Sequence, residues 1–227
     1  MLTSISLLSA LLPIILFLIF CVRRAGIELW VIFFYCIFDF LIDPVQWGTA
    51  WGKEHRFQIY SLFEVIEFLF FACFVYLSVE RGIMNRVTLG FSALVVLSLV
   101  FAYTKANPKN FDSILACIES IGIITISITY FYEQISRPVS ASEFIYASPK
   151  FWVVLAFLIY SSGTLFLFIL SFNLPHEQML KYWFINNLFN ICTSVLLSVS
   201  FLVSRFASKH PPPEKAFLDY TDILEKP

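Results

Sequence analysis

Seven runs of mostly apolar residues, about 3–22, 27–42, 57–78, 87–103, 113–131, 151–171 and 182–204, take up most of this 227-residue chain. A helix needs roughly 20 apolar residues to cross a hydrocarbon core about 30 Å thick. The runs are continuous rather than alternating, which favours helices over a β-barrel. The expected fold is all-α: one polytopic domain of seven transmembrane helices over residues 1–204, followed by a short tail, 205–227. The second run is the shortest, and it carries Glu28 and Asp39 near its edges. It is counted because residues 30–42 are otherwise almost unbroken apolar sequence.

Composition agrees: 59% of residues are hydrophobic, 19% aromatic and only 14% charged. A soluble domain carries about 25% charged residues, so a soluble enzyme, a disordered chain and a basic nucleic-acid binder are excluded. The net charge of −1 gives no pull toward nucleic acid or acidic lipid, and the partner implied by composition is the lipid bilayer.

Orientation follows from the basic residues, which collect in cytoplasmic loops. With the N-terminus outside, inner segments hold Arg23, Arg24, Arg81, Arg86, Arg137, Lys150, Arg205, Lys209, Lys215 and Lys226. Outer segments hold Lys53, Arg56, Lys105, Lys109 and Lys181. The expected topology is N-terminus outside and C-terminus cytoplasmic. No positive charge precedes the first run and Arg23-Arg24 follow it, so it reads as a retained anchor rather than a cleaved signal. Pro13 is expected to kink that helix. Breaks are expected at Arg23–Gly26, Asp43-Pro44, Asn107-Pro108, Arg137-Pro138 and Pro149.

Cys21, Cys36, Cys73, Cys117 and Cys192 fall on five different runs with no Cys-x-x-Cys. They read as small buried hydrophobes rather than a disulfide or zinc framework. His55, His176 and His210 all lie outside the runs, so no three-histidine zinc centre can form within the bundle. No run holds a Lys for a retinal Schiff base.

An ionisable group within a span costs about 2.5–3.5 kcal/mol at the helix centre, which makes it a functional hypothesis. Asp39 falls about 5 Å below the outer end of the second span, Glu64 and Glu67 about 10 and 15 Å into the third, and Glu119 about 9 Å into the fifth. All are in the outer half. At 100° per residue Tyr60, Glu64 and Glu67 share one face, as do Tyr35 and Asp39. Asn186, Asn190 and Thr193 form a polar stripe on the last span, with Asn187 and Ser194 beside it. The expectation is a polar cavity opening outward, lined by the second, third, fifth and seventh spans. Its ligand-binding residues would be Glu64, Glu67, Glu119, Asn190, Asn186, Tyr60 and Asp39. No catalytic residue is assigned. No cofactor is expected beyond a divalent cation on Glu64, Glu67 and Glu119 through oxygen ligands.

Ser161–Thr164 reads as a helix-packing surface, since a nucleophilic serine has no histidine base within reach. Trp47, Trp51 and His55 form an interfacial belt or a lid over the cavity. In the tail, Pro211–Pro213 is a stiff spacer. Beyond it Phe217, Tyr220 and Leu224 have helical spacing that suits docking to a cytosolic signalling partner, or else form a disordered end.

The runs Ile59–Glu64, Pro149–Tyr160 and Tyr182–Asn190 together resemble small seven-helix integral membrane proteins of bacteria that have no assigned activity. The architecture is also similar to the membrane sensor domains that precede histidine kinases. The resemblance implies the inner (plasma) membrane and, with no kinase following, a separate output partner reached through inner loops and tail. Four readings stand: a receptor or sensor for a small cationic or polar ligand or metal ion, a secondary or proton-coupled transporter, an intramembrane hydrolase, or acids that only hold the bundle together.

Overall fold

The computed structural model of the chain describes residues 2–79, 82–105, 113–136, 145–171 and 176–207. Among them there is no strand. The long helices are α1 (Leu2–Phe20), α2 (Ile27–Gly48), α4 (Arg56–Ser78), α5 (Gly82–Lys105), α6 (Ser113–Ser136), α7 (Pro149–Ser171) and α8 (His176–Ala207). A five-residue helix, α3 (Ala50–Glu54), links α2 to α4, and a 3₁₀ turn (Ile145–Ala147) precedes α7.

Among the described residues five helices are long and apolar enough to cross a membrane: the segments Gln58–Ser78, Asn85–Thr104, Ile114–Ser136, Pro149–Leu170 and Phe184–Phe206. The first helix contributes a shorter apolar stretch, Ile5–Phe20. The second carries Glu28, Asp39 and Asp43 within its 22 residues. Length and composition therefore support five crossings, two fewer than the apolar runs suggest.

Several helices outrun their apolar cores. α5 begins at Gly82 and α8 at His176, ahead of the apolar segments that start at Asn85 and Phe184, and α6 continues past the sequence run that closes at 131 to Ser136. Hydropathy marks contact with lipid or core, whereas backbone hydrogen bonding carries a helix on through polar residues. The expected stop at Asp43-Pro44 does not occur; Pro44 lies inside α2, which continues to Gly48. The extra turn is held from outside: the Thr49 hydroxyl donates to the Val45 carbonyl and accepts from the Gly52 N–H. The Asn107-Pro108 and Arg137-Pro138 breaks, and the tail from 208 onward with Phe217, Tyr220 and Leu224, lie outside the described residues.

Helices α1, α2, α4, α6, α7 and α8 pack in a closed ring, each against the next and α8 against α1. Helix α5 sits outside it against α4 and α6. Much of the core is phenylalanine: Phe17, Phe68, Phe71, Phe74, Phe157 and Phe201 are fully buried. The exposed faces are also apolar, as Leu97, Phe101, Ile128 and Phe166 illustrate. That inside-and-out hydrophobicity is what a helix in lipid requires.

Contacts at one end of the ring set the directions of the helices. Cys21 Sγ lies 3.2 Å from the Phe201 carbonyl, and the Arg205 guanidinium stands 4.4 Å over the Phe20 ring. The ends of α1 and α8 are thus together, and the two helices run parallel. The Glu28 carboxylate pairs with Lys150 at 3.5 Å, which brings the starts of α2 and α7 to this same end. Glu28, at the edge of the second run, is therefore in an ion pair. Of the cysteines, all free, Cys21 and Cys36 are buried, but Cys73 and Cys192 are exposed on outer faces and Cys117 is intermediate. Helix rotation decides this: a small apolar side chain is as stable against lipid as in the core.

Candidate functional site

A cavity of about 40 Å³ opens between α1, α2, α7 and α8. Its wall includes Ser6 and Pro13 from α1, Tyr35 and Asp39 from α2, Tyr160 from α7, and Asn190, Thr193 and Ser194 from α8. The periodicity is helical on each element: Tyr35 and Asp39 are four apart, and so are Asn190 and Ser194. Among the described residues no Lys or Arg is on this wall. The Ser194 hydroxyl donates to the Asn190 carbonyl at 3.0 Å, and Ser198 continues the pattern onto Ser194 at 2.7 Å. Such back-bonding leaves the hydroxyl lone pairs available to a second partner.

Behind this wall lies a group of buried carboxyls. The Tyr35 hydroxyl donates to Glu67 Oε1 at 2.8 Å. Glu64, Glu67 and Glu119 are 2%, 3% and 6% exposed. Asp39 acts electrostatically on Glu67, and Glu119 on both Glu64 and Glu67. Tyr60 adjoins Glu64, and Tyr160 lies within the field of all four carboxyls. One oxygen of Glu119 has no hydrogen-bond partner among the described residues. Ser61, Ser120, Ser161 and Thr164 are buried nearby on α4, α6 and α7. Among the described residues no three His, Cys, Asp or Glu side chains are arranged to hold a metal ion, the Glu64, Glu67 and Glu119 group included.

The residues singled out in the sequence thus divide into two layers. Asp39 and Asn190 are on the cavity wall. Glu67 is one hydroxyl removed from it, through Tyr35. Glu64, Glu119 and Tyr60 lie deeper, and Asn186, one turn from Asn190, is half-buried off the wall. The wall helices are α1, α2, α7 and α8 rather than the second, third, fifth and seventh spans. The reason is packing: α4 touches α2, α5, α6 and α7, so its acidic face is turned into the bundle and screened by two tyrosines.

Tyr160 has a larger part than its sequence position suggests, and Thr193 of the polar stripe is on the wall. A tyrosine in the middle of a span, far from the interfacial aromatic belt, is the signal that marks Tyr160. Glu133 is a further acid, 4% exposed near the far end of α6, just past the sequence run that closes at 131. The Trp51 ring stacks on His55 at 4.9 Å and is 59% exposed, away from the cavity wall. The side chains of Trp47 and His176, and His210 entirely, lie outside the described residues.

Below the cavity the same helices close on an aromatic cluster. Phe17 stacks on Phe33 at 4.3 Å and meets Trp30 and Phe201 edge-on at 4.9 and 5.1 Å. On α1, α2 and α8 alike this cluster lies between the cavity residues and the end marked by Cys21, Glu28 and Arg205.

Comparison with protein-family models, with curated proteins and with solved structures gives no match for this chain.

Proposed function

We propose that this is a seven-span integral membrane protein of receptor type, N-terminus outside and C-terminus cytoplasmic, whose acidic cavity takes a small cation from the outer side. The observation that carries the reading is Asp39 on the wall of a polar cavity, backed through Tyr35 by Glu67. A cleft lined by acidic groups raises the local concentration of small cations. The parallel run of α1 and α8 supports an odd number of crossings, and the excess of basic residues in alternate segments supports the orientation. The aromatic cluster of Phe17, Trp30, Phe33 and Phe201 favours a receptor over a carrier, because it blocks a polar path toward the Arg205 end. The missing histidine and nucleophile–base pair weigh against a hydrolase. Ligand-induced shifts of α1 and α8 would reach a cytosolic partner through the inner loops and the tail.

The test is thermal unfolding of the purified protein in detergent with ammonium or methylammonium chloride, against choline chloride at the same ionic strength. A ligand that binds only the folded state raises Tm with concentration. The expected result is a saturating rise in the native protein that Asp39→Asn abolishes. An equal response to choline, or an unchanged response in Asp39→Asn, would sink the reading.

A further inference from the structure

One threonine of the cavity breaks the habit of the others. Thr125, Thr129 and Thr164 each donate to the carbonyl four residues earlier, a common use of a hydroxyl inside a helix. Thr193 does not. It is on the cavity wall, 7% exposed, and its hydroxyl has no hydrogen-bond partner among the described residues. Leaving a buried hydroxyl unmatched is costly, so one that forgoes its own backbone on a polar wall points to a partner inside the cavity. The cavity, about 40 Å³ in volume, holds about three waters, since each needs roughly 10–15 Å³ of such space. Asn190, Ser194 and Tyr160 share the wall with Thr193, and together they offer such waters the several polar partners that a buried water takes.

The wall also has a way through it. Tyr35 lines the cavity, and its hydroxyl donates to Glu67 Oε1 at 2.8 Å, so a single side chain joins the cavity to the carboxyl group behind it. A tyrosine hydroxyl has one proton to give and lone pairs with which to accept another. With its proton committed to Glu67, the lone pairs are left for a water of the cavity. Glu67 is faced by Tyr35 and Asp39 of α2, Glu119 of α6 and Tyr160 of α7, with Glu64 and Tyr60 on its own helix. Helix α5, also packed on α4, brings Ser92 and Val95 on its buried face. Glu119 Oε1 has no hydrogen-bond partner among the described residues, which leaves an acceptor beyond Glu67.

We propose that Tyr35 is a proton relay between water in the cavity and the buried carboxyls, with Thr193 holding the water that begins it. In uptake, Tyr35 hands its hydroxyl proton to Oε1 of ionised Glu67 while a cavity water gives a proton to the Tyr35 oxygen. The tyrosine O–H bond is broken and remade, Glu67 becomes the neutral acid, and the hydroxide left behind is neutralised by a proton from solution through the cavity mouth. Release runs the same hops in reverse. The relay ties the protonation of acids hidden behind the wall to the pH on the cavity side. It needs the cavity only to hold water, so it stands whether or not a cation binds there.

The full chain, purified in detergent, is moved from ordinary into heavy water, and the carbonyl stretch of its protonated carboxyls is followed by infrared spectroscopy. Glu67→Gln identifies the Glu67 band, and the half-time of its deuterium shift is the readout. Tyr35→Phe, which keeps the ring, should slow the exchange at least about tenfold, as the loss of a positioned proton-transfer group does. Thr193→Val keeps the shape of threonine and the Tyr35–Glu67 bond, and should slow it as well. Tyr160→Phe, the other tyrosine of the wall, should leave the half-time unchanged. The sign separates a relay from a hydrogen bond that only holds the core, because loosening the core admits water and speeds exchange. Unchanged or faster exchange in Tyr35→Phe overturns the proposal, as does the absence of a Glu67 band at every pH. Equal slowing by Tyr160→Phe overturns the assignment to Tyr35. Slowing by Tyr35→Phe alone keeps the relay and overturns the part given to Thr193. If Tyr35→Phe does not yield monodisperse protein, Thr193→Val decides alone. The Tm response to methylammonium is a separate measurement, and its failure would leave the exchange result standing.

Discussion

Tyr35 stands between two environments that polar groups rarely share in a membrane. Its ring packs against Phe70 and Phe157 at 6.1 and 5.0 Å, while its hydroxyl serves Glu67. Truncating a donor to a buried carboxyl costs about 1–3 kcal/mol, because the acceptor is left unmet. Tyr35→Phe should therefore lower Tm. Combined with Glu67→Gln it should cost less than the sum of the two single changes, which a double-mutant cycle of unfolding midpoints measures. Strict additivity would mean that the bond contributes nothing. At this scale the acids were legible in the sequence, since a carboxyl inside an apolar run stands out without any structure. The role of Tyr160 was not legible, because it depends on how α7 is turned toward α2, whereas Thr193 already stood on the polar stripe of the last span.

Helices approach one another where a side chain is missing. A Cβ on Gly163 of α7 would overlap the Phe189 ring of α8, whereas one on Gly90 of α5 would meet nothing within 4 Å. Gly163→Ala should consequently force α7 and α8 apart and lower Tm, while Gly90→Ala should leave Tm unchanged or raise it, as alanine does for glycine in an open helix position. Because α7 and α8 form one side of the cavity, the first variant should also weaken cation response. Equal melting of the two variants would show that this contact does not set the helix spacing. The Ser161–Thr164 segment reads as packing from its small residues alone, but its partner ring does not. Pro44 is the opposite case. Its local chemistry signals a stop, and the helix passes through it because Thr49 and Gly52 secure the next turn.

Across the whole molecule, polarity is graded along the bundle. Cavity and carboxyls occupy the half nearer the start of α1, the aromatic cluster follows, and Arg205 with the Glu28–Lys150 pair marks the far end. The proposed orientation puts that far end in the cytosol. A cysteine introduced by Lys53→Cys should react with an impermeant maleimide in intact cells, and one introduced by Lys209→Cys only after permeabilisation, each judged against the unsubstituted protein. The reverse pattern would invert the topology and with it the side from which the cavity is reached.

What the chain determines by itself is its solvent: apolar runs, basic segments and the depth of each acid are properties read along one dimension. Which acid meets the cavity is a different matter. It depends on the rotation of each helix about its axis and on contacts between residues as distant as Cys21 and Phe201, 180 positions apart. Rotation and pairing minimise the energy of the whole ring at once, α4 included. The sequence alone therefore placed four carboxyls at similar depth, and only the tertiary structure separated Asp39 on the wall from the three glutamates behind two tyrosines.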